Sequence, residues 1–494
     1  MAYAKLDIPA GFYRNGTEYE QSNRWREGSL VRWRDGSLRP IGGWQERKTG
    51  FTVAPARGMH TWETNNRTAY VAAGSYNELK AMTGAGLIYD ITPSDLTAGL
   101  EDAAVRTSYG YSFYGTGFYG TPRPFLSTSI PSPATTWDLD NWGEYLVACS
   151  EADGRLLEWQ LGSSSDAAPI TNAPTDNLGL VVTEERFLFA LGSGGNSRKI
   201  SWCDREDNTL WTPAATNEAG DIELQTAGQI MQGIRTRGQT LIITDTDAHT
   251  ARYLGPPYVF GFERVGTSCG SISRKSAVDV DVGVFWMGQK GFFRFDGNSV
   301  QELPCDVHDY IFEDFNQAQQ SKIWGFANGQ FGEIWWFYPS SDSTEVDRYV
   351  VYDYKENHWL IGNLSRTTGT ERGVFRYPFM MDDSGVVYDH EVGLNTDDAL
   401  IYAETGPISI GSGDNVAKVT SVVPDEKTQG DVNLTFKTRF HPNGSEDTHG
   451  PYSTANPTSV RFTGRQIRMR VEGQRLAAWR VGDMRLDIKA GGRR

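Results

Sequence analysis

Several short stretches of this chain hold residue types that could do chemistry. "GTSCG", Gly266 to Gly270, has the GxSxG spacing of a nucleophile elbow. That motif works when a strand, a sharp turn and a helix lift the serine hydroxyl toward a base. Here the flanks, "FERV" and "SISRKSAVDVDV", both alternate like strands, so Ser268 is not read as a nucleophile. "GSGGNSRK", Gly192 to Lys199, is glycine-rich but lacks the GxxxxGK[ST] spacing that cradles phosphates, and reads as a turn. "DREDN", Asp204 to Asn208, offers oxygen ligands but not the ordered spacing of a calcium loop. Cys149, Cys203, Cys269 and Cys305 form no CxxC pair, and the 7 histidines include no HExxH. Buried free thiols in a reducing compartment are the expectation, not a disulfide framework or a zinc site.

"SEADGRLLEW", Ser150 to Trp159, is similar to the Asp-box turns of sialidase-type propellers, which are structural there too. A glycosidase would need two carboxylates across a pocket, which a sequence does not display. The reading is therefore of a chain with no catalytic, cofactor-binding or metal-ligating residue, no cofactor, and no enzymatic activity.

Stepping outward to the elements, the 494 residues are 38% hydrophobic, 22% charged and 12% aromatic, which is a globular composition. No apolar run approaches the ~20 residues of a membrane span, and "MAYAKLDIPAGFYRNG" has neither the basic nor the apolar region of a secretory signal. Net charge is −15 but uneven. Residues 461–494 hold ten basic and three acidic residues, net +7, and the rest hold 37 basic and 59 acidic, net −22. An acidic body does not attract a DNA backbone. The basic end could grip an acidic partner or nucleic acid, or its arginines could pair with local carboxylates.

One pattern recurs. Apolar residues alternate over roughly four to eight positions, a polar turn follows, and a second strand returns. Copies lie around Val71, Val147, Phe189, Ile243, Phe285 and Trp336, with a weaker one near Phe379. Their starts fall roughly 40 to 55 residues apart, the spacing of four-stranded propeller blades. In "DRYVVYDYKENHWLIG", Asp353 and Asn357 punctuate the turn, and Tyr352, Tyr354 and Trp359 are expected between blades. The longest interval holds "YGYSFYGTGFYGTPRP", Tyr109 to Pro124, read as an exposed loop inserted into a blade.

Other segments leave the rhythm. In "CDVHDYIFEDFNQAQQ", Val307, Tyr310, Ile311 and Phe315 share a helical face, and Asp306 could cap its start. Asp35-Gly36 between alternating strands predicts a type I′ hairpin anchored by Trp33 and Trp44. After about Asn395 the blade spacing stops and short strands with glycine turns follow. In "RQIRMRVEG", Ile467, Met469 and Val471 face one way, and Arg468 and Arg470 the other. The fold expected is all-β: a β-propeller of six or seven blades over 56–394, and a small β-sheet or sandwich platform that joins the N-terminal hairpin in 1–55 to the strands of 395–494.

The order of these features resembles a known family. "DGSLRPIGGW" opens the chain, and the helix begins within reach of "VQELPCDV". "GEIWWFYPSSDSTEVDRYVVYDYKENHW" follows, and "GRQIRMRVEGQRLAAWRVGDMRLDIKAGGRR" closes the chain. Together they resemble the tail hub, or nozzle, proteins of short-tailed bacteriophages, also called packaged-DNA stabilisation proteins. The likeness is clearest from Arg186 to Gly393 and at the C-terminus; the Tyr/Gly-rich insertion is not a feature of the family as a whole. The resemblance implies a structural virion protein of the tail, assembled in the bacterial cytoplasm. It implies a homohexameric ring below the head-to-tail adaptor that extends the DNA channel, retains the genome and opens at infection. Implied partners are the adaptor, needle, fibre or spike proteins, and transient non-specific double-stranded DNA. The alternative is a propeller-type tail protein that binds or cleaves a glycan.

Overall fold

A computed structural model describes residues 3–105, 131–162, 165–411, 415–441, 444–474 and 476–492. The Tyr/Gly-rich loop at Tyr109 to Pro124 lies outside the described residues.

Among the described residues there are seven four-stranded antiparallel sheets, and they are the blades of a propeller. Most of the recurring hairpins form the two central strands of a blade, and the 347–362 hairpin forms the third and outer strands of blade 6. Blade 1 is Met59–Glu63, Ala69–Gly74, Leu79–Thr83 and Ile88–Asp90; blade 2 begins at Trp137–Trp142, blade 3 at Gly179–Val182 and blade 4 at Ile230–Thr236. Blade 5 begins at Val278–Val280, blade 6 at Trp324–Asn328 and blade 7 at Thr368–Thr370. The first strand of each blade packs against the first strand of the next, and blade 7 returns to blade 1, so the wheel closes.

Tryptophan joins the blades. Its indole fills the wedge between two sheets, and its N–H, which cannot be left unsatisfied in an apolar interior, finds a backbone carbonyl of the neighbour. Trp62 Nε1 in blade 1 donates to Glu144 O in blade 2 at 3.0 Å, and Trp137 donates back to Ser75 O at 2.6 Å. Trp286 in blade 5 donates to Cys269 O at 2.7 Å, and Trp336 in blade 6 to Ser276 O at 2.8 Å. In the 347–362 segment, Asp353 Oδ1 accepts from the amides of Lys355 and Glu356, and Asn357 takes φ 55°. Trp359 packs on Phe292 of blade 5 with centroids 4.7 Å apart, and Tyr352 and Tyr354 lie against Phe285.

The two ends of the chain build a sandwich. Its first six-stranded sheet orders Val31–Arg34, Ser37–Pro40, Val481–Ala490, Ala417–Glu426 and Thr458–Gly464, with Tyr3–Leu6 also paired to Val481–Ala490. The second orders Trp25–Ser29, Tyr402–Thr405, Gln466–Gly473, Val432–Arg439 and Asp447–Ser453, with Ile408–Ser409 beside Gln466–Gly473. Period-2 patterning puts Val419, Val422, Leu434, Phe436, Phe462, Met469, Val471 and Leu486 into one core. Phe436 of one sheet meets Phe462 of the other at 4.9 Å. Asp35 and Gly36 take φ 52° and 72°, the two positive values a type I′ turn needs.

Two expectations need correction. Residues 1–55 do not all join the platform: Trp44–Lys48 pairs antiparallel with Val387–His390 as the outer strand of blade 7. The last blade thus takes one strand from the chain start, which ties the ring shut through hydrogen bonds. The helix is shorter than its periodicity suggests, His308–Phe312, and Asp306 does not cap it; Val307 holds the N-cap position with no side-chain cap. Val307 and Ile311 are fully buried, and Phe315, whose amide still donates to Ile311 O at 3.1 Å, also forms a bridge to Ser340 where the helix gives way to β structure.

Candidate functional site

The axis of a propeller is where loops and inner strands from all blades converge. Here the upper end is filled by charged side chains, each neutralised locally. Arg57, which precedes blade 1, forms a forked ion pair with Glu345 at 2.8 and 2.5 Å. Lys322, whose side chain is wholly buried, donates to Thr344 O at 2.6 Å and Asp102 Oδ1 at 2.5 Å, with Glu345 at 3.4 Å. Lys275 pairs with Asp138, and Arg274 with Glu151 at 3.3 Å. Between them remains a void of about 140 Å³. Charges this buried persist only when paired, and removing one partner leaves the other uncompensated. The plug is a rigid set of links between blades, not a passage. A DNA duplex, whose major groove alone is ~12 Å wide, does not fit through it.

Titratable groups of the inner strands follow. Asp279 on blade 5 is reached by solvent yet walled by protein, and loss of hydration raises its carboxyl to about 6, opposed by Arg235. Glu371, directly after the first strand of blade 7, is raised by the same cause and by the charge of Asp279. Burial lowers the pKa of His60, although Asp140 lies 4.0 Å from its Nε2 and Asn141 Oδ1 lies 3.1 Å away. Among the described residues no three His, Cys, Asp or Glu side chains are placed to hold a metal ion.

The join between platform and propeller is the second charged centre. Arg32 projects from the N-terminal hairpin between Glu333 of blade 6 and Glu391 beyond blade 7. Its Nε lies 2.8 Å from Glu333, its Nη2 2.5 Å from Glu391, and its guanidinium covers the Phe331 ring at 3.7 Å. Two carboxylates share one cation, Glu333 fully buried and Glu391 nearly so. Burial and the second carboxylate together outweigh Arg32, and Glu333 is pushed up to about 7. The hydroxyl of Tyr349 accepts from Leu30 N at 2.8 Å beside this cluster.

The sequence-flagged motifs fall as follows. Ser268 takes φ 57° just after the outer strand of blade 4, no helix follows it, and its side chain has no hydrogen bond to a base among the described residues. Gly192 to Lys199 is a turn within blade 3, with φ near 65° at Gly192 and Gly194. Asp153 of the "SEADGR" turn is held by Arg155 Nε at 2.7 Å. Asp204 and Asp207 accept turn amides from Arg205, Glu218 and Thr209. Cys149, Cys203 and Cys269 are free and buried, Cys305 partly so. Burial raises all four thiols, Cys269 to about 11 and Cys203 to about 12, so none is a ready thiolate.

Arg468 and Arg470 do face away from the sandwich core, but the facing carboxylates are at hand. Glu404, nearly fully buried, takes Lys437 at 2.8 Å, Arg468 at 2.5 Å and Arg470 at 3.8 Å. Arg32, Arg57, Lys322 and Asp279 were not singled out from sequence. The available signal was a lone charge between apolar residues on a strand or at its border, as in Val31-Arg32-Trp33.

No family model matches this chain, and no curated protein matches it in sequence. Solved structures similar to it include the virginiamycin B lyase of Staphylococcus aureus, at 7% identity and a TM-score of 0.42 over 70% of this chain and 98% of that one. YCF48 bound to D1 peptide is similar at 9% identity and a TM-score of 0.39, covering 71% and 97%. The N-terminal domain of Nup159 is similar at 9% and 0.36, covering 78% and 98%. The expectation of a non-enzyme is corrected here. Enzymes, virginiamycin B lyase and a streptogramin B lyase, stand among the similar structures, so the fold is no ground for excluding catalysis. At 7–8% identity they transfer neither a substrate nor a residue to this chain.

Proposed function

We propose that this chain is a structural virion protein, a tail hub of the nozzle type in a short-tailed bacteriophage. In this reading six copies form a ring below the head-to-tail adaptor, extend the DNA channel, retain the packaged genome and release it at infection. Needle, fibre or spike proteins would attach to the same ring, and the particle would assemble in the bacterial cytoplasm. Because the propeller axis is plugged, the DNA path would run between subunits, along acidic walls that offer few counterion-releasing contacts.

The observation that carries the reading is the outer face of the first platform sheet. Lys418 stands directly opposite Lys489, and Lys5 directly opposite Arg485. All four side chains are exposed, and among the described residues only Lys5 of the four has a carboxylate partner, Asp483 at 2.9 Å. Like charges placed opposite on one sheet face destabilise it. Such an arrangement suits a surface that an acidic protein covers. The test is direct. Mass spectrometry of purified virions is expected to find this chain, and negative-stain images of the tails to show rings with a central opening. A chain missing from virions and monomeric at every concentration refutes the reading.

A further inference from the structure

An open cleft of about 800 Å³ lies where blades 3, 4 and 5 meet, and none of its lining residues belongs to the axial ion pairs or the platform. Its volume is that of a small-molecule site. The floor is the turn Thr244–Asp247 of blade 4, and it is fixed. Asp247, buried, accepts at Oδ1 from Thr244 Oγ1 at 2.6 Å and Thr226 Oγ1 at 2.9 Å, and lies 3.2 Å from His249 Nε2. Asp245 Oδ1 accepts from Gln229 N at 2.9 Å.

The walls differ from the floor. The side chains of Arg264, Lys290, Gln225, Gln289 and Glu302 all line the cleft, and none makes a hydrogen bond or ion pair among the described residues. Phe293 adds a half-buried ring, stacked on Trp286 with centroids 5.9 Å apart. Arg198 is also present but is committed to Glu223 and to Thr226 O.

We infer that this cleft binds an acidic oligosaccharide. The chemistry selects that class in three ways. The π face of an aromatic ring takes the C–H face of a pyranose, while free amides and a free carboxylate satisfy its hydroxyls. Two unpaired cations are in place for the carboxylate of a uronate-type sugar, as charge-assisted hydrogen bonds. Glu302 and Asp245 bring the local charge back toward neutral, which suits spaced sugar carboxylates and disfavours the dense phosphates of a nucleic acid. Arg264, Glu302 and Phe293 stand on blade strands, whereas Gln225, Gln289 and Lys290 stand on the turns that rim the cleft. The inference does not rest on the ring: virion mass spectrometry and sugar titration fail separately.

The experiment is calorimetric titration of the full chain with an oligogalacturonate and with a neutral galacto-oligosaccharide. The acidic sugar is expected to bind at least about tenfold tighter than the neutral one, a difference of ~1.4 kcal/mol. Arg264→Gln and Lys290→Gln are each expected to erase most of that preference. Both positions are exposed, so melting temperatures should stay close to that of the parent chain, and Gln289→Ala gives an uncharged second check through weaker binding of the acidic sugar. No heat with the acidic sugar overturns the inference. So does equal binding of the two sugars, binding unaltered in the variants, or tighter binding of single-stranded DNA through the same residues.

Discussion

The propeller and the platform are both antiparallel β, yet they are assembled in opposite ways. Within a blade the partners are neighbours in sequence: Arg348–Asp353 pairs with His358–Asn363 across a short turn. Within the platform, Tyr3–Leu6 pairs with Val481–Ala490, at the far end of the chain. Closing a long loop costs entropy before any contact rewards it. The blades can therefore form locally, whereas the platform and the seal of blade 7 must wait for both ends. The two bodies share a hydrophobic cluster and the buried Arg32 ionic cluster, and because disturbing the latter leaves buried charge uncompensated it should cost more than removing most single contacts within a blade.

The largest effect is expected from Arg32→Ala. It leaves Glu333 and Glu391 buried without their cation and should destabilise by about 3–5 kcal/mol. Urea unfolding would measure it. A midpoint unchanged from the parent would show that the join contributes little. Next, Trp44→Ala should cost about 3 kcal/mol. It removes a buried indole whose Nε1 donates to Asp397 Oδ2 at 2.7 Å, at the strand that seals the wheel. If blade 7 holds without that seal, the loss will be well under that of a surface-insensitive core change, and the contrast between local and distant assembly is weakened.

Glu333 gives the third. Its pKa is about 7 when folded and near the ordinary glutamate value when unfolded, so the folded state binds the proton more tightly. Its contribution is most favourable at low pH. It declines as pH rises from about 4.5 through about 7, by about 1–3 kcal/mol, and is flat above that. Glu333→Gln should flatten this part of the stability profile. An identical profile would place the titration elsewhere. The smallest effect is Lys489→Glu, which turns a like-charge cross-strand pair into an opposite one and should stabilise the free chain by ~0.2–1 kcal/mol. The same change should weaken any complex through that face, and native mass spectrometry of assembled tails would report it.

Much of the wheel is legible in the sequence because a blade's two central strands are adjacent, alternating and turn-bounded. Seven hairpins were readable, and seven blades exist among the described residues. Inner and outer strands were harder. Several are only three or four residues, such as Val278–Val280, too short for a period to show. The two-faced strand Gln466–Gly473 was readable from Ile467, Met469 and Val471. That Glu404 would neutralise Arg468 and Arg470 was not, because it lies more than sixty residues away in the chain. Ser268 rims the cleft, but the groups that give the cleft its character come from three blades.

By itself, the sequence determined what depends on near neighbours: the alternation that makes strands, the Asp35-Gly36 turn, the spacing that sets blade size, and the acidic body with its basic end. Tertiary structure alone decided which distant groups meet. It brought Trp44–Lys48 to the last blade, set Arg32 between two carboxylates, filled the axis with paired charges and opened a cleft between blades. Those arrangements depend on ring closure and on the exclusion of water from particular pairs, and neither leaves a local mark in the order of residues.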